Sequence, residues 1–367
     1  MRSSIFYRTA STPILLIVML LAVAISTQFI GSGPFSRTIV EMFIRVMLVV
    51  GLYIFIGNSG IISFGHIGFM CIGAYATAWF TIPPMMKKFS LRGLPFFIKD
   101  HQLSFLPSAI LSALLAALFA LIVGRILMRL SGIAASIATF AMLAVINTVY
   151  SNWETVTGAT SSIVGIPMYT GIWLSFAGTV IAIVVAWLYA ASSSGLALRA
   201  ARDEAIAAAA SGVNIERERL IAFAVSAAVI GLCGSLYAHF LGVVNPDAFY
   251  LGLTFVALSM LVVGGMNSLS GAVIGVVVIS SIIQILRWFE KGVDLGGVTL
   301  ALPNGTQEIA IGVVTVAILI FRPAGLMGNQ EISWRNWHWN GFRRHVTDRF
   351  PVAGSRRSGK LGSKLGE

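Results

Sequence analysis

Apolar runs of about 18–22 residues recur along the chain, separated by short polar links. A run of that length, wound as a helix, crosses a hydrocarbon core of about 30 Å. Only helices and closed barrels span a bilayer, because every backbone N–H and C=O must find a partner without water. A barrel would show alternating strands of about ten residues instead. Composition points the same way: 57% of the 367 residues are in the set AVILMFWYC and only 11% are charged, with a mean hydropathy of +0.88. Soluble domains carry about 25% charged residues, and a soluble core of this length would not bury so much apolar surface. An ordinary soluble enzyme, a disordered chain and a secreted disulfide scaffold are excluded. The expected fold is an all-α polytopic membrane protein.

Hydropathy places ten spans near 13–30, 39–57, 61–82, 106–124, 131–150, 171–191, 215–242, 252–264, 271–286 and 307–321. The links between them divide the basic residues unevenly. Of 25 Lys and Arg, 17 fall on one side, including nine after Phe321, and seven on the other, with Arg45 inside a span. An even number of spans with this bias puts both termini in the cytoplasm. The formal charge of +11 follows from that bias and from anionic lipid, and does not imply nucleic acid. Arg2, Arg8 and the run from Ile14 to Ile30 resemble a signal peptide, but the apolar run passes the nominal Ala22-Val23-Ala24 cleavage motif, so a retained first helix is expected. Cys71 and Cys233 lie in apolar runs and imply neither disulfide nor metal site. The link 83–105, with four basic residues on the outer side, reads as a packed loop.

Two interruptions stand out. Gly57-Asn58-Ser59-Gly60 precedes Ile61-Ile62-Ser63-Phe64-Gly65-His66, and Gly264 to Gly271 separates two spans that both look short. Broken helices at membrane depth leave polar backbone that needs protein or water, and in transporters such breaks line the substrate path. An ordinary interfacial loop reads equally well. On the first reading Asn58, Ser63, His66, Thr157, Ser161, Asn267 and Ser268 face a shared cavity. A buried neutral His is also a simple interhelical hydrogen-bonder, which applies to His66 and His239. Glu41 and Arg45, spaced i,i+4, read as an ion pair at membrane depth.

The polar island from Ser192 to Arg219 lies on the cytoplasmic side. Ser194 reads as the cap of a helix from Gly195 to Ser211, stopped at Gly212, with Arg199 and Asp203 paired and Asn214 capping the next helix. Such a helix lies on lipid or docks a cytoplasmic partner. Lipid-surface helices carry large apolar residues. This one is rich in Ala, which favours docking.

Here the chain resembles a family. Ala207-Ala208 followed by Gly212 fits the loop by which ABC-importer permeases contact their ATPases, with Glu204 three positions upstream of the alanines rather than directly before them. Gly195-Leu196-Ala197-Leu198-Arg199-Ala200, Arg202-Asp203-Glu204, Gly212-Val213-Asn214 and Ala222-Phe223 resemble branched-chain amino-acid permeases of the LivM type. So do Ser63-Phe64-Gly65-His66 with Gly73-Ala74-Tyr75, Asn152-Trp153, Gly165-Ile166-Pro167, Val263-Gly264-Gly265 and Arg322-Pro323-Ala324-Gly325-Leu326. The shared order covers about residues 40–328. The family often has Thr-Gly-Gly-x-x-Gly where this chain has Thr157 to Ser162, which bears on substrate more than on fold.

The resemblance implies a permease domain over 1–328 and a basic, flexible cytoplasmic tail over 329–367. It implies a bacterial inner-membrane importer subunit for branched-chain or related amino acids, fed by a periplasmic binding protein and driven by two ATPases that hold ATP and Mg. A homologous second permease chain completes the pore. Arg199, Arg202, Glu204, Ala207, Ala208 and Gly212 would form the ATPase contact. The tail sequence Gly354 to Leu361 lacks the Ser or Thr of a P-loop, so no ATPase, cofactor or metal is expected in this chain. No carboxylate pair or nucleophile–base set marks an enzyme. A urea or short-amide permease is the near alternative. A self-sufficient secondary transporter or channel is the distant one.

Overall fold

The computed structural model describes residues 11–31, 33–290, 293–294, 299–300, 303, 305–328 and 330–332. The basic tail beyond 332, with the P-loop-like stretch, and the charges at Arg2 and Arg8 lie outside these residues. The helices in chain order are α1 Ser11–Ile30, α2 Gly33–Ser59, α3 His66–Thr81, α4 Pro84–Ser90, α5 Phe96–Lys99, α6 Phe105–Leu127, α7 Gly132–Asn152, α8 Glu154–Thr157 and α9 Ile172–Ala191. Then follow α10 Ser193–Asp203, α11 Ala205–Ala210, α12 Ile215–Leu241, α13 Leu251–Gly264, α14 Leu269–Glu290 and α15 Thr306–Phe321. Each of the ten expected spans corresponds to a helix, but among the described residues eight helices are long and apolar enough to cross a membrane, while α3 and α15 have 16 residues each. Two details differ. Residues 60–65 are not helical, so α3 begins at His66 and is 16 residues long, about 24 Å at 1.5 Å per residue. The span expected at 271–286 is not short: α14 runs 22 residues.

α2 and α12 form the centre. α2 is buried from Val46 to Ser59 on all faces, and a helix apolar all round is one that protein surrounds. α12 packs against α3 and α6 on one side and α2 on the other. Its crossing with α3 is at backbone contact: a Cβ on Gly73 would lie 2.1 Å from the Gly231 carbonyl oxygen, and one on Gly234 would lie 2.1 Å from that of Met70. Small residues permit this approach, and dispersion then holds the helices where lipid offers no hydrophobic drive. Leu106, Leu114, Ile122, Ile133, Ile137 and Val145 on α6 and α7 remain exposed, as lipid-facing residues should.

The bundle has two polar ends. One gathers the C-terminus of α2, the N-terminus of α3, α10, α11, the N-terminus of α12 and the 265–268 turn. The other gathers the N-terminus of α2, the link after α3, residues 153–171 and 242–250, and the C-terminus of α14. There Ile163 and Val244 pair across a two-stranded antiparallel ribbon, and Trp79 donates to the Val156 carbonyl at 3.0 Å. The 83–105 link is packed as expected. Lys87 in α4 is buried and donates to the carbonyls of Ile98 (2.9 Å) and His101 (2.7 Å).

Candidate functional site

The polar segment starts one residue pair earlier than its sequence implied. Ser192, not Ser194, caps α10 by accepting from the Gly195 N–H at 3.1 Å. Ser194 instead donates to Glu218 on α12. The continuous helix expected to Ser211 is broken at Glu204, whose backbone is extended (φ −152°, ψ 100°) and whose carboxylate caps α11. A carboxylate at a helix start satisfies an orphan N–H and suits the dipole. The stop at Gly212 is as read: Val213 N–H reaches the Ala208 carbonyl (3.1 Å) and Gly212 N–H that of Ala209 (3.0 Å), with Gly212 at φ +86°. That is the Schellman pattern, which glycine adopts without strain. Asn214 caps α12 through Arg217 N–H at 3.1 Å.

The two arginines of α10 reach beyond the segment itself. The expected Arg199–Asp203 pair is absent. Arg199 donates to the Ala190 carbonyl (2.6 Å) and to Asn58 Oδ1 (3.4 Å). Arg202 donates to the Gly57 carbonyl (2.7 Å) and Asn267 Oδ1 (3.2 Å), and also grips Asp203 at 3.1 Å. These are charge-assisted bonds, stronger than neutral ones. They tie α10 to both breaks noted in the sequence. A carbonyl at the end of α2 is an orphan acceptor by the rule of helix termini, and Arg202 fills it. Ala208 is buried against its own chain, while Ile206 (81% exposed), Ala207 and Ala209 face outward. Of Ala207 and Ala208, expected together at a partner, only Ala207 is exposed. Ile206 adds an outward apolar side chain beside them.

The seven path residues do not share one cavity. Asn58 lies under Arg199 at one end. Asn267 lies under Arg202 there, and Ser268 beside it donates to the Gln330 carbonyl at 2.9 Å. Thr157 and Ser161 lie at the other end, with Thr157 buried and donating to the carbonyls of Tyr150 and Trp153. The length of α3 separates the two groups. Ser63 and His66 are adjacent (Oγ to Nδ1 2.7 Å), but the His66 ring is boxed by Phe55, Phe69 and Phe223 at 5.1–5.6 Å and is fully buried. His239 joins a chain of hydroxyls: Nδ1 meets the Pro167 carbonyl at 2.6 Å and Nε2 meets Thr77 at 3.2 Å. A carbonyl only accepts, so Nδ1 carries the proton and Nε2 accepts. Both histidines are buried within the bundle, and His66 Nε2 finds no hydrogen-bond partner among the described residues. Ala159, in the stretch that departs from the resembled pattern, holds a left-handed φ of +51°, a conformation that favours glycine.

Glu331 falls within the stretch 329–367 expected to be a flexible tail. It caps α14 instead, accepting from Leu269 N–H (2.6 Å), Ser270 N–H (3.0 Å) and Ser270 Oγ (2.6 Å). The packed unit thus extends past 328 to at least Ile332. No sequence signal beyond an acid following a Gly-rich turn marked it.

A bundle of bilayer-length helices, with two interruptions pinned by a polar segment at one end, defines an all-α polytopic membrane protein. The family described as branched-chain amino acid transport system / permease component matches residues 35–319, and this chain belongs to it. It is a permease component of a binding-protein-dependent ABC transport system. The chain is 25% identical to the high-affinity branched-chain amino acid transport system permease protein LivM of Escherichia coli K12, across 85% of this chain and 74% of that protein. The same figures hold for LivM of Salmonella typhimurium. It is 26% identical to the autoinducer 2 import system permease protein LsrC of Escherichia coli, across 53% of this chain and 56% of that protein. No solved structure gives a significant match.

Proposed function

We propose that this chain carries branched-chain or related amino acids inward across the bacterial inner membrane, with both termini cytoplasmic. A periplasmic binding protein delivers the solute. One of two ATPase subunits docks on α10 and α11, and a second, homologous permease chain faces this one across the path. ATP hydrolysis belongs to the ATPases. The observation that carries the reading is the pair of arginines on α10. Any displacement of α10 by a docked partner pulls on the Gly57 carbonyl, Asn58 and Asn267, which are the ends of α2 and the α13–α14 hairpin. Arg199, Arg202 and Glu204 hold the segment's shape, Gly212 ends it, Ala208 seats it, and Ile206 and Ala207 meet the partner. Asn58, Asn267 and Ser268 are then movable elements at the inner mouth, and Thr157 and Ser161 belong to the outer mouth.

The likeness to the autoinducer 2 import system permease LsrC supports a second reading for the solute, autoinducer 2. Reconstitution of the permease with its ATPases and binding protein in proteoliposomes separates the readings. ATP-dependent uptake of labelled leucine, isoleucine or valine is expected. Uptake of autoinducer 2 alone would replace the amino-acid reading. Ion-gradient-driven transport by the chain without ATPases would overturn the importer reading altogether.

A further inference from the structure

An open cleft of about 310 Å³ lies between α2, α12 and α14, at the end of the bundle opposite α10. Its polar walls are Arg37, Thr38 and Glu41 on α2, Tyr237 on α12, and Gln284 and Arg287 on α14. A narrower continuation runs inward to Arg45 and Ser280. The two stripes follow helical spacing. Thr38, Glu41 and Arg45 climb one face of α2, and Ser280, Gln284 and Arg287 climb the facing side of α14. Arg45 lies about 18 Å from the start of α2, at 1.5 Å per residue, so the polar seam reaches the middle of the span.

Charge at that depth does not face lipid without cost, and intramembrane charges line cavities or pair with one another. Here the pairing is incomplete. Glu41 takes both Arg45 and Arg287, the latter at 3.4 Å. One carboxylate therefore serves two cations. Arg37 lies over the Phe240 ring at 5.5 Å and makes no hydrogen bond among the described residues. Arg287 makes only its bond to Glu41 among them, so most of its five N–H donors are unengaged. The cleft and its continuation thus hold three guanidinium groups against one carboxylate. Guanidinium groups with free forks match a carboxylate in bidentate fashion.

We propose that this cleft is a binding station for the carboxylate of the transported solute, on the outer half of the path. Arg37 and Arg287 receive the carboxylate, and Glu41 receives the ammonium group of an amino acid. The carboxylate assignment rests on the cleft alone; the ammonium assignment rests also on the amino-acid reading above. The station lies along α2 and α14, the same two helices whose far ends meet Arg202. Occupancy at one end and the position of α10 at the other are therefore carried by the same rods.

The test uses the permease–ATPase complex in nanodiscs, with a Thr38→Cys substitution and labelling by water-soluble thiosulfonates. Cys71 and Cys233 are buried, so the parent complex gives the background. An anionic reagent is expected to react at least tenfold faster than a cationic one of equal size. Adding Arg287→Gln should cut that ratio severalfold. No labelling above background, or equal rates for the two reagents, overturns the station. Loss of the anionic preference when phosphatidylglycerol is added to phosphatidylcholine discs also overturns it, because a lipid headgroup then holds the cleft. In proteoliposomes, Arg287→Gln should lower leucine uptake per assembled complex at least tenfold, with Arg287→Lys recovering less than half. Undiminished uptake means the ion pair only braces two helices and removes the proposal. A retained labelling preference with no amino-acid uptake by the parent complex leaves the carboxylate station standing and removes the amino-acid reading.

Discussion

Arg202 is the residue on which both interruptions converge, through the Gly57 carbonyl and Asn267. Bonds from a charged donor are worth about 1.5–3 kcal/mol each, and stripping the donor leaves acceptors unsatisfied. Arg202→Ala should therefore keep the permease in the membrane and bound to ATPase, yet lower ATP-driven uptake at least tenfold. ATPase co-purification and uptake, measured on the same preparation, check this. Its partners Asp203 and Asn267 are visible as polar residues in the sequence; the meeting with Asn267 is not, because Arg202 and Asn267 are 65 positions apart.

Lys87 makes a second residue-scale case. It is buried in the outer link, and burial lowers its pKa from 10.5 to about 8. The folded state then sheds this proton before the unfolded state does. Between pH 8 and 10.5 the unfolded chain binds more protons, so this group's contribution to stability rises with pH across that window and is least below it. The thermal midpoint in detergent should climb from pH 8 to pH 10 in the parent, relative to Lys87→Met. A parallel pH profile in the two proteins would falsify the assignment.

At the level of elements, the α10–α11 unit shows how an Ala-rich stretch can be read correctly for composition and wrongly for shape. Ala, Leu and Arg favour helix throughout, and no Gly or Pro marks the break. The break at Glu204 follows from where Arg199 and Arg202 must reach, which is a tertiary demand. It turns Ala208 inward and leaves Ala207 and Ile206 outward. Ala208→Trp would thus damage the permease itself, and Ala207→Trp is the cleaner probe of docking. Ala207→Trp should cut ATPase co-purification at least tenfold with unchanged permease yield. A lipid-lying α11 predicts the reverse, since Trp favours the membrane interface. Unchanged ATPase recovery would remove the docking role of this face.

On the scale of the whole molecule, the two polar ends make a topological prediction. Thr157 is buried and is a poor reporter, whereas Ser161 and Asp247 are exposed at one end and Ser211 at the other. Single cysteines at Ser161 and Asp247 should react with impermeant reagent added outside intact spheroplasts, and one at Ser211 only after lysis. Labelling of the Ser211 position from outside would invert the orientation that the basic residues imply.

The placement of the apolar helices was legible in the chain, because hydrocarbon demands about 20 apolar residues per crossing and tolerates no unpaired backbone; the count of ten was too generous, since eight of the described helices reach that length. The Gly212 stop and the Asn214 cap were legible too, since each depends on neighbours within a few residues. The partner of each charge was not legible. Arg199 left Asp203 for Asn58, Glu331 left the tail for α14, and Glu41 gathered a second cation from 246 residues away. His66 looked like a path residue by its place beside a break, and became the centre of an aromatic box once α12 brought Phe223 against it. Local rules act along a helix and are written in spacing. Which polar group meets which across helices is decided by packing, where a buried donor takes the acceptor that the fold brings within reach.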